Sequence, residues 1–218
     1  MSLADTQARL HAACATSGRD ASSVTLIAVS KLQPPEKVAA VLQQGHRVFG
    51  ENRVQEAQER WLPLRDSYPD VELHMIGGLQ TNKAKDAVAL FDAIHTVDRI
   101  KLAECLADEM AKQRRPLPCF IQVNTGNEAQ KGGVAVEELE TLYRFCSETA
   151  RLDIRGLMCI PPVEDIPDMH FALLHKLSRR LGLHGLSMGM SDDFEVAIRY
   201  QATHIRVGSA LFGIRENK

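Results

Sequence analysis

The feature that most restricts the fold of this chain is an alternation: a short β-rich run ending in Gly, Asn, Ser or Lys, then a stretch of helical periodicity, eight times over. The runs are "TLIAVSK" (25–31), "RVFGEN" (47–52), "VELHMIGG" (71–78), "AIHTVD" (93–98), "PCFIQVNT" (118–125), "IRGLMCI" (154–160), "GLSMG" (185–189) and "HIRVGSALFG" (204–213). Their starts are on average about 26 residues apart, room for one strand, one helix and two short loops. Strands joined through helices run parallel. Several runs are apolar on both faces, as expected when helices cover a sheet outside and the sheet packs on itself within. Eight such units predict one α/β domain over residues 1–218, a (β/α)8 TIM barrel. An open doubly wound sheet is the alternative, but it needs no eighth strand, and its first turn is normally glycine-rich where this chain has Lys-Leu-Gln-Pro-Pro.

The intervening segments carry helix signals. Pro34 and Pro35 suit a first turn, where a missing N–H costs nothing, and Val38, Val41 and Leu42 form the apolar stripe behind them. Asp98 reads as the N-cap of a helix whose face is Ile100, Ala103, Leu106 and Met110, and Leu139, Leu142, Tyr143 and Cys146 repeat the pattern. "DTQARLHAACA" precedes the first run and predicts an extra N-terminal helix outside the barrel. No Ser/Gly/Pro-rich linker or shift in composition marks a second domain.

Composition removes several classes of function. With 26 basic and 28 acidic residues interspersed, a net charge of −2 offers no basic field for nucleic acid and no basic tail for an anionic membrane. No apolar run approaches the ~18–20 residues of a membrane-spanning helix, and the polar start lacks the layout of a signal peptide, which predicts a cytoplasmic protein. Cys14, Cys105, Cys119, Cys146 and Cys159 are odd in number, scattered and never C-x-x-C, the pattern of buried thiols. The eight histidines show no metal-ligand spacing, so no metal is expected.

In a barrel of this kind the C-terminal ends of the strands carry function. Alone, Lys31 reads as a solvated lysine closing a strand. Period-two alternation gives it a second reading: Ile27, Val29 and Lys31 share a face, so if the first two fill the barrel, the third enters its mouth. Desolvation there lowers a lysine pKa and yields the neutral amine that attacks an aldehyde. Asn52 ends the second run, as a helix cap or as a ligand amide. His74 reads equally as a core histidine, and Gly77 and Gly78 permit close approach of a turn or ligand. "SMGMSDDFEVAIRY" predicts strand, turn and helix, with Asp192 and Glu195 spaced as a capping box behind Ser191. Gly208 and Ser209 end the last run, and the loops after strands seven and eight are the usual phosphate site of this architecture. Asp192 and Asp193 would repel a phosphate unless they turn outward. Arg206 shares a face with Gly208, either beneath such a site or as a core arginine paired with a carboxylate such as Glu51. A lysine on the first strand, a phosphate grip on the last and an arginine between them fit one ligand, pyridoxal 5′-phosphate.

"AVSK", "FGENRVQE", "HMIGGLQTNK", "IQVN", "RGLMCIP", "LSMGMSDDFEVAI" and "IRVGSALFG", in this order over about residues 25–215, resemble the YggS/PROSC family of pyridoxal phosphate homeostasis proteins. The resemblance implies a barrel like the N-terminal domain of alanine racemase. It also implies that Lys31 holds the cofactor as an internal aldimine, that Ser191, Gly208 and Ser209 grip its phosphate, that Arg206 faces the pyridine nitrogen, and that Asn52 and Met188 line the pocket. Two departures stand beside that pattern: Gly78 where relatives often carry histidine or proline, and the loop "TGNEAQKGG". The implied role is storage or delivery of pyridoxal phosphate within the cell, with cofactor-dependent enzymes as clients. The chain is expected to act as a monomer and without turnover of its own. The rivals are a fold-type III enzyme such as an amino-acid racemase, and an aldolase using its lysine without cofactor. Such racemases take a second acid/base tyrosine from an additional β domain. The sequence ends at Lys218, so that domain is not expected, and Tyr68, Tyr143 and Tyr200 are predicted in a loop and outer helices.

Overall fold

The computed structural model describes residues 2–128 and 130–213. All eight predicted runs supply a strand: β1 (Thr25–Val29), β2 (Val48–Glu51), β3 (Glu72–Met75), β4 (Ala93–Val97), β5 (Pro118–Gln122), β6 (Asp153–Met158), β7 (Gly185–Ser187) and β8 (His204–Val207). Each pairs in parallel with its successor, and β8 returns to β1 in the register Ile27 to Arg206, which closes the barrel. Around it lie α1 (Leu3–Thr16), α2 (Pro35–Gln43), α3 (Val54–Trp61), α4 (Ala84–Leu90), α5 (Ile100–Gln113), α6 (Leu139–Arg144), α7 (Pro167–Arg180), α8 (Phe194–Arg199) and the short α9 (Ser209–Phe212). No helix of the described residues is long and apolar enough to cross a membrane.

The extra N-terminal helix forms as expected. Ser2 and Asp5 close a capping box at its start, and Arg9 reaches Glu195 of α8 at 2.6 Å, tying α1 to the last part of the barrel. Other end signals read differently in three dimensions. Arg99, in extended backbone, occupies the cap position of α5, while Asp98 pairs with the Arg99 guanidinium instead of capping. This one-residue offset turns Ile100 out to solvent and brings Leu102 inward beside Ala103, Leu106 and Met110. The capping box predicted for Asp192 does not form either: α8 starts one residue later, behind Asp193, and Glu195 is engaged by Arg9.

Strand alternation sorts the buried residues into two populations. Leu26 and Ala28 of β1, Phe49 of β2, Leu73 and Met75 of β3 and Ile205 and Val207 of β8 belong to one continuous apolar layer, shared with Val38, Val41 and Leu42 of α2 and Leu102, Leu106 and Met110 of α5. Each Val, Leu, Ile, Phe or Met among them contributes about 1.5–3 kcal/mol on burial. The alternate residues fill the lumen. Toward the N-terminal end that filling is aromatic: His95 stacks on Phe120 with centroids 4.3 Å apart, and His204 stands edge-on to both at 5.5 and 5.0 Å. His74, 5.0 Å from His95, completes the plug. The plug thus separates two spaces, a cavity of about 570 Å³ at the N-terminal opening, lined by Glu72, His74, Phe120 and His204 among others, and a second one at the C-terminal mouth.

Candidate functional site

At the C-terminal mouth, Val29, Lys31, Gln33, Asn52, Ile76, Ile160, Met190, Ser191, Asp192, Arg206, Gly208, Ser209 and Gly213 line a cavity of about 460 Å³. That size lies within the ~300–1,000 Å³ of small-molecule sites. Six of the seven residues singled out from sequence, Lys31, Asn52, Ser191, Arg206, Gly208 and Ser209, meet there although they come from four different strand ends. Met188 does not. It is fully buried in the layer between barrel and helices, because Leu186 and Met188 alternate outward on either side of the inward Ser187. Met190 contributes the methionine of the cavity instead.

The lysine stands on a braced turn. Lys31 is half-buried and Val29, two residues earlier on the same face, lines the same cavity. The Gln33 amide donates to the Ser30 carbonyl at 3.1 Å, with Leu32 in the left-handed region at φ 57°, and Arg60 of α3 donates to the Gln33 carbonyl at 2.9 Å. Below the turn Glu51 is wholly buried. One of its oxygens accepts from Ser30 Oγ at 2.7 Å and from Trp61 Nε1 at 3.1 Å, with the Arg60 guanidinium 3.2 Å away. Its other oxygen has no hydrogen-bond partner, and burial raises the Glu51 pKa against the opposing pull of these donors. Gly77 matters to the neighbouring rim for a steric reason: a β-carbon there would lie 2.3 Å from the Asn52 carbonyl oxygen, so only glycine lets the β3 turn pass Asn52.

On the opposite side of the mouth, Ser191 Oγ accepts from the amides of Gly208 and Ala210, each at 3.2 Å, which fastens the β7 loop to the start of α9. Having accepted twice, the Ser191 hydroxyl retains its hydrogen to donate, and Ser209 brings a second hydroxyl to the same wall. Gly189 makes the bend before Ser191 with φ 92°, and a side chain there would collide with Phe194 and Ala197. Of the two aspartates, Asp193 is withdrawn from the mouth by accepting from the Met190 amide at 2.6 Å, while Asp192 is exposed at the edge.

Arg206 forms the floor and is only 4% exposed. It does not pair with Glu51. Nη1 donates to Ser187 Oγ and Nη2 to the Cys159 carbonyl, both at 2.8 Å, and no carboxylate of the described residues is in ion-pair range. The Glu51 alternative fails because that side chain lies on the outer side of β2, facing α3. The guanidinium therefore lines the cavity with no ion-pair partner in direct contact among the described residues, the nearest influence being the more distant carboxylate of Asp193.

Sequence reading passed over Ser187 and His95, which stand directly behind Arg206, and over Gln33, Ile76 and Ile160 of the lining. Alternation applied to "GLSMG" would have found Ser187. His95 has no such local signal, since its partners lie on β3 and β7. Tyr68 and Tyr143 pack against the outer layer and the Tyr200 hydroxyl donates to Asp168, so none of the three lines the cavity. The departures also find their places: nothing lies within 4 Å of a β-carbon added at Gly78, and the 125–133 loop is held by Lys131, which pairs with Glu128 and donates to the Pro161 carbonyl. Four of the five cysteines are buried free thiols, with Cys105 half-buried.

Known proteins resemble this chain in sequence and fold. The family model of the alanine racemase N-terminal domain matches residues 8–216. The chain is 41% identical to a pyridoxal phosphate homeostasis protein of Pseudomonas aeruginosa over 98% of this chain and 94% of the relative, and 39% identical to one of Vibrio cholerae over 96% and 93%. Among solved structures, PipY of Synechococcus elongatus with pyridoxal phosphate bound superposes with a TM-score of 0.82 at 36% identity, covering 95% of this chain and 99% of that one. The alanine racemase of Corynebacterium glutamicum, at 18% identity and a TM-score of 0.66 over 61% of its length, shares the fold. With a matching family model across nearly all its length and close full-length relatives, the chain belongs to the alanine racemase N-terminal-domain family and, within it, to the pyridoxal phosphate homeostasis proteins.

Proposed function

We propose that this protein binds pyridoxal 5′-phosphate in the mouth cavity, covalently through Lys31, and serves the homeostasis of that cofactor inside the cell without converting amino acids. The carrying observation is that one cavity gathers a lysine from the end of β1, two serine hydroxyls from the ends of β7 and β8, and between them a guanidinium in no direct ion pair among the described residues. The residues fit the group. The Lys31 amine can add to an aldehyde with loss of water; Ser191 and Ser209 offer hydroxyls to a phosphate; Arg206 donates toward a ring nitrogen that is an acceptor. Pyridoxal phosphate, when bound, supplies a reactive aldehyde on an electron-withdrawing ring.

The same geometry argues for a carrier. A permanent cation at the floor disfavours a second positive charge on an adjacent ring nitrogen, which weakens the ring as an electron sink without by itself forbidding catalysis, since racemases of this barrel type also use an arginine there. No tyrosine of the described residues lines the cavity to act as a second acid/base, and the lack of such a group typically forfeits ~10² to 10⁴ in rate. Monomeric action as one domain and delivery to client enzymes extend the same reading.

The test is an absorption spectrum of the purified protein before and after borohydride, with peptide mapping of the reduced adduct. The label is expected on Lys31; a label on Lys83 or Lys131 with Lys31 unmodified overturns the assignment. Incubating the loaded protein with L- and D-amino acids under chiral chromatography addresses turnover. Rates on the order of 1 s⁻¹, within the enzyme range, would replace the carrier reading with a racemase or decarboxylase.

A further inference from the structure

We infer that Ser187, His95 and His74 form a one-way chain of hydrogen bonds through the barrel that sets the orientation of Arg206. They are positioning residues for the cavity floor, an inference that rests on the cofactor reading above. The links are short and buried. Arg206 Nη1 lies 2.8 Å from Ser187 Oγ, Ser187 Oγ 2.8 Å from His95 Nδ1, and His95 Nε2 3.0 Å from His74 Nδ1. His74 Nε2 then faces Glu72 Oε2 at 3.7 Å near the N-terminal opening of the barrel. All four residues between the cavity and Glu72 are below a tenth exposed, so each donor and acceptor must be matched internally.

Both ends fix the direction. Arginine has donors and no acceptor, so Ser187 Oγ must accept from Arg206. The serine hydrogen is then directed to His95 Nδ1, which places the His95 proton on Nε2, where it donates to His74 Nδ1. His74 in turn carries its proton on Nε2, toward the Glu72 carboxylate. The reverse polarity fails twice: Ser187 would accept from both sides and leave its own hydrogen with no acceptor, and His74 would turn a lone pair toward a carboxylate. Burial, with His74, His204 and Arg206 nearby, holds the His95 pKa well below its ordinary value, consistent with a neutral ring in this role.

Because the guanidinium does not release a proton, the chain carries none to or from the cavity. What it supplies is orientation. A planar group held at two terminal nitrogens, by Ser187 and by the Cys159 carbonyl, has its plane fixed; held by the carbonyl alone, it can turn. A string of neutral dipoles also anchors the cation at Nη1 without placing a carboxylate in contact with it. The floor thereby keeps a donor cation, in no direct ion pair among the described residues, for a ring nitrogen that must accept.

Two measurements decide this. Long-range proton–nitrogen correlation spectra of the unloaded protein, with ¹⁵N-labelled histidine, are expected to show His74 and His95 both protonated on Nε2; an Nδ1 proton on either ring overturns the chain. Separately, titration with pyridoxal 5′-phosphate is expected to show Ser187→Ala about tenfold weaker than wild type, the equivalent of one hydrogen bond, with a shifted absorption maximum that Ser187→Thr restores. A folded Ser187→Ala protein with unchanged affinity and spectrum overturns the positioning role. Arg206→Ala separates the two readings: if it binds like wild type, the cofactor contact of Arg206 is wrong, while the ring spectra still decide the chain. Should Ser187→Ala fail to fold, the spectra of the wild-type protein carry the test alone.

Discussion

The two ends of this barrel are built from the same eight strands and do opposite things. Toward the N-terminal end His74, His95, Phe120 and His204 pack ring against ring and close the lumen above a cavity rimmed by Glu72, Asp92, Asp153 and Arg155. At the C-terminal end, Lys31, Asn52, Ser191, Arg206 and Ser209 surround open space. The closed end holds large flat side chains with few internal freedoms, and the open end holds polar tips on braced turns. Stability and binding are thus separated along one axis, and Arg206, joined to both, is the residue where they meet.

The sharpest way to break that separation is to empty the closed end. Phe120→Ala removes a ring that touches two imidazoles and is expected to cost about 3–5 kcal/mol of unfolding free energy. Lys31→Ala, at the open end, should stay within about 0.5 kcal/mol of wild type while abolishing the borohydride-stable adduct. Urea unfolding of both variants measures the contrast; equal losses would show that the mouth is part of the structural core.

Acid should attack the closed end first. Burial, with smaller contributions from His74 and Arg206, lowers the His204 pKa to about 4. In the unfolded chain the ring titrates near 6.5. Between those values the unfolded state binds the extra proton, so this contribution is fully present above about pH 6.5 and is lost as pH falls through about 4. Replacing His204 with Asn should flatten the pH dependence of stability over that window by on the order of 3 kcal/mol. An unaltered profile in unfolding experiments at pH 4.5 and 7 would place the acid sensitivity elsewhere.

At the open end, Ser191→Ala should narrow the preference for phosphorylated over unphosphorylated pyridoxal by roughly 1.5–3 kcal/mol, a charge-assisted hydrogen bond. Comparative titration with both vitamers reads this, and equal narrowing by a serine variant remote from the mouth would remove the phosphate assignment. The smallest effect concerns the brace beneath Lys31. Burial raises the Glu51 pKa, so the folded state holds its proton more tightly than the unfolded one. That contribution is complete below about pH 4.3, the unfolded value, and is lost as pH rises through the folded value. Glu51→Gln keeps an acceptor for Ser30 and Trp61 and should raise stability at pH 7 by a small margin, less than the change expected at Ser191. A loss instead would show that the charge on Glu51 is required to hold Arg60.

How far the sequence can be read follows from the range of the forces involved. Strand and helix periods are local, so the eight runs, their parallel order and the lysine ending the first are all legible along the chain. Alternation also places Lys31 on the face of Ile27 and Val29, which the cavity lining agrees with. Helix ends are less legible: Asp98 and Asp192 look like caps, yet Arg99 and Asp193 take those positions, since a cap depends on where the preceding strand releases the chain.

What only the tertiary structure decided is partnership. Whether Arg206 meets Glu51 or Ser187 depends on which side of the barrel wall each side chain occupies, and whether Met188 or Met190 reaches the cavity depends on the alternation of a three-residue strand. His95 looks like any strand histidine until β3, β5 and β7 bring His74, Phe120 and Ser187 around it. Sequence by itself determined the repeating unit and the residues available at each strand end, because those follow from neighbours along the chain. Barrel closure determined which of them touch, because contacts such as that between His95 and Ser187, 92 positions apart, exist only once β8 has returned to β1.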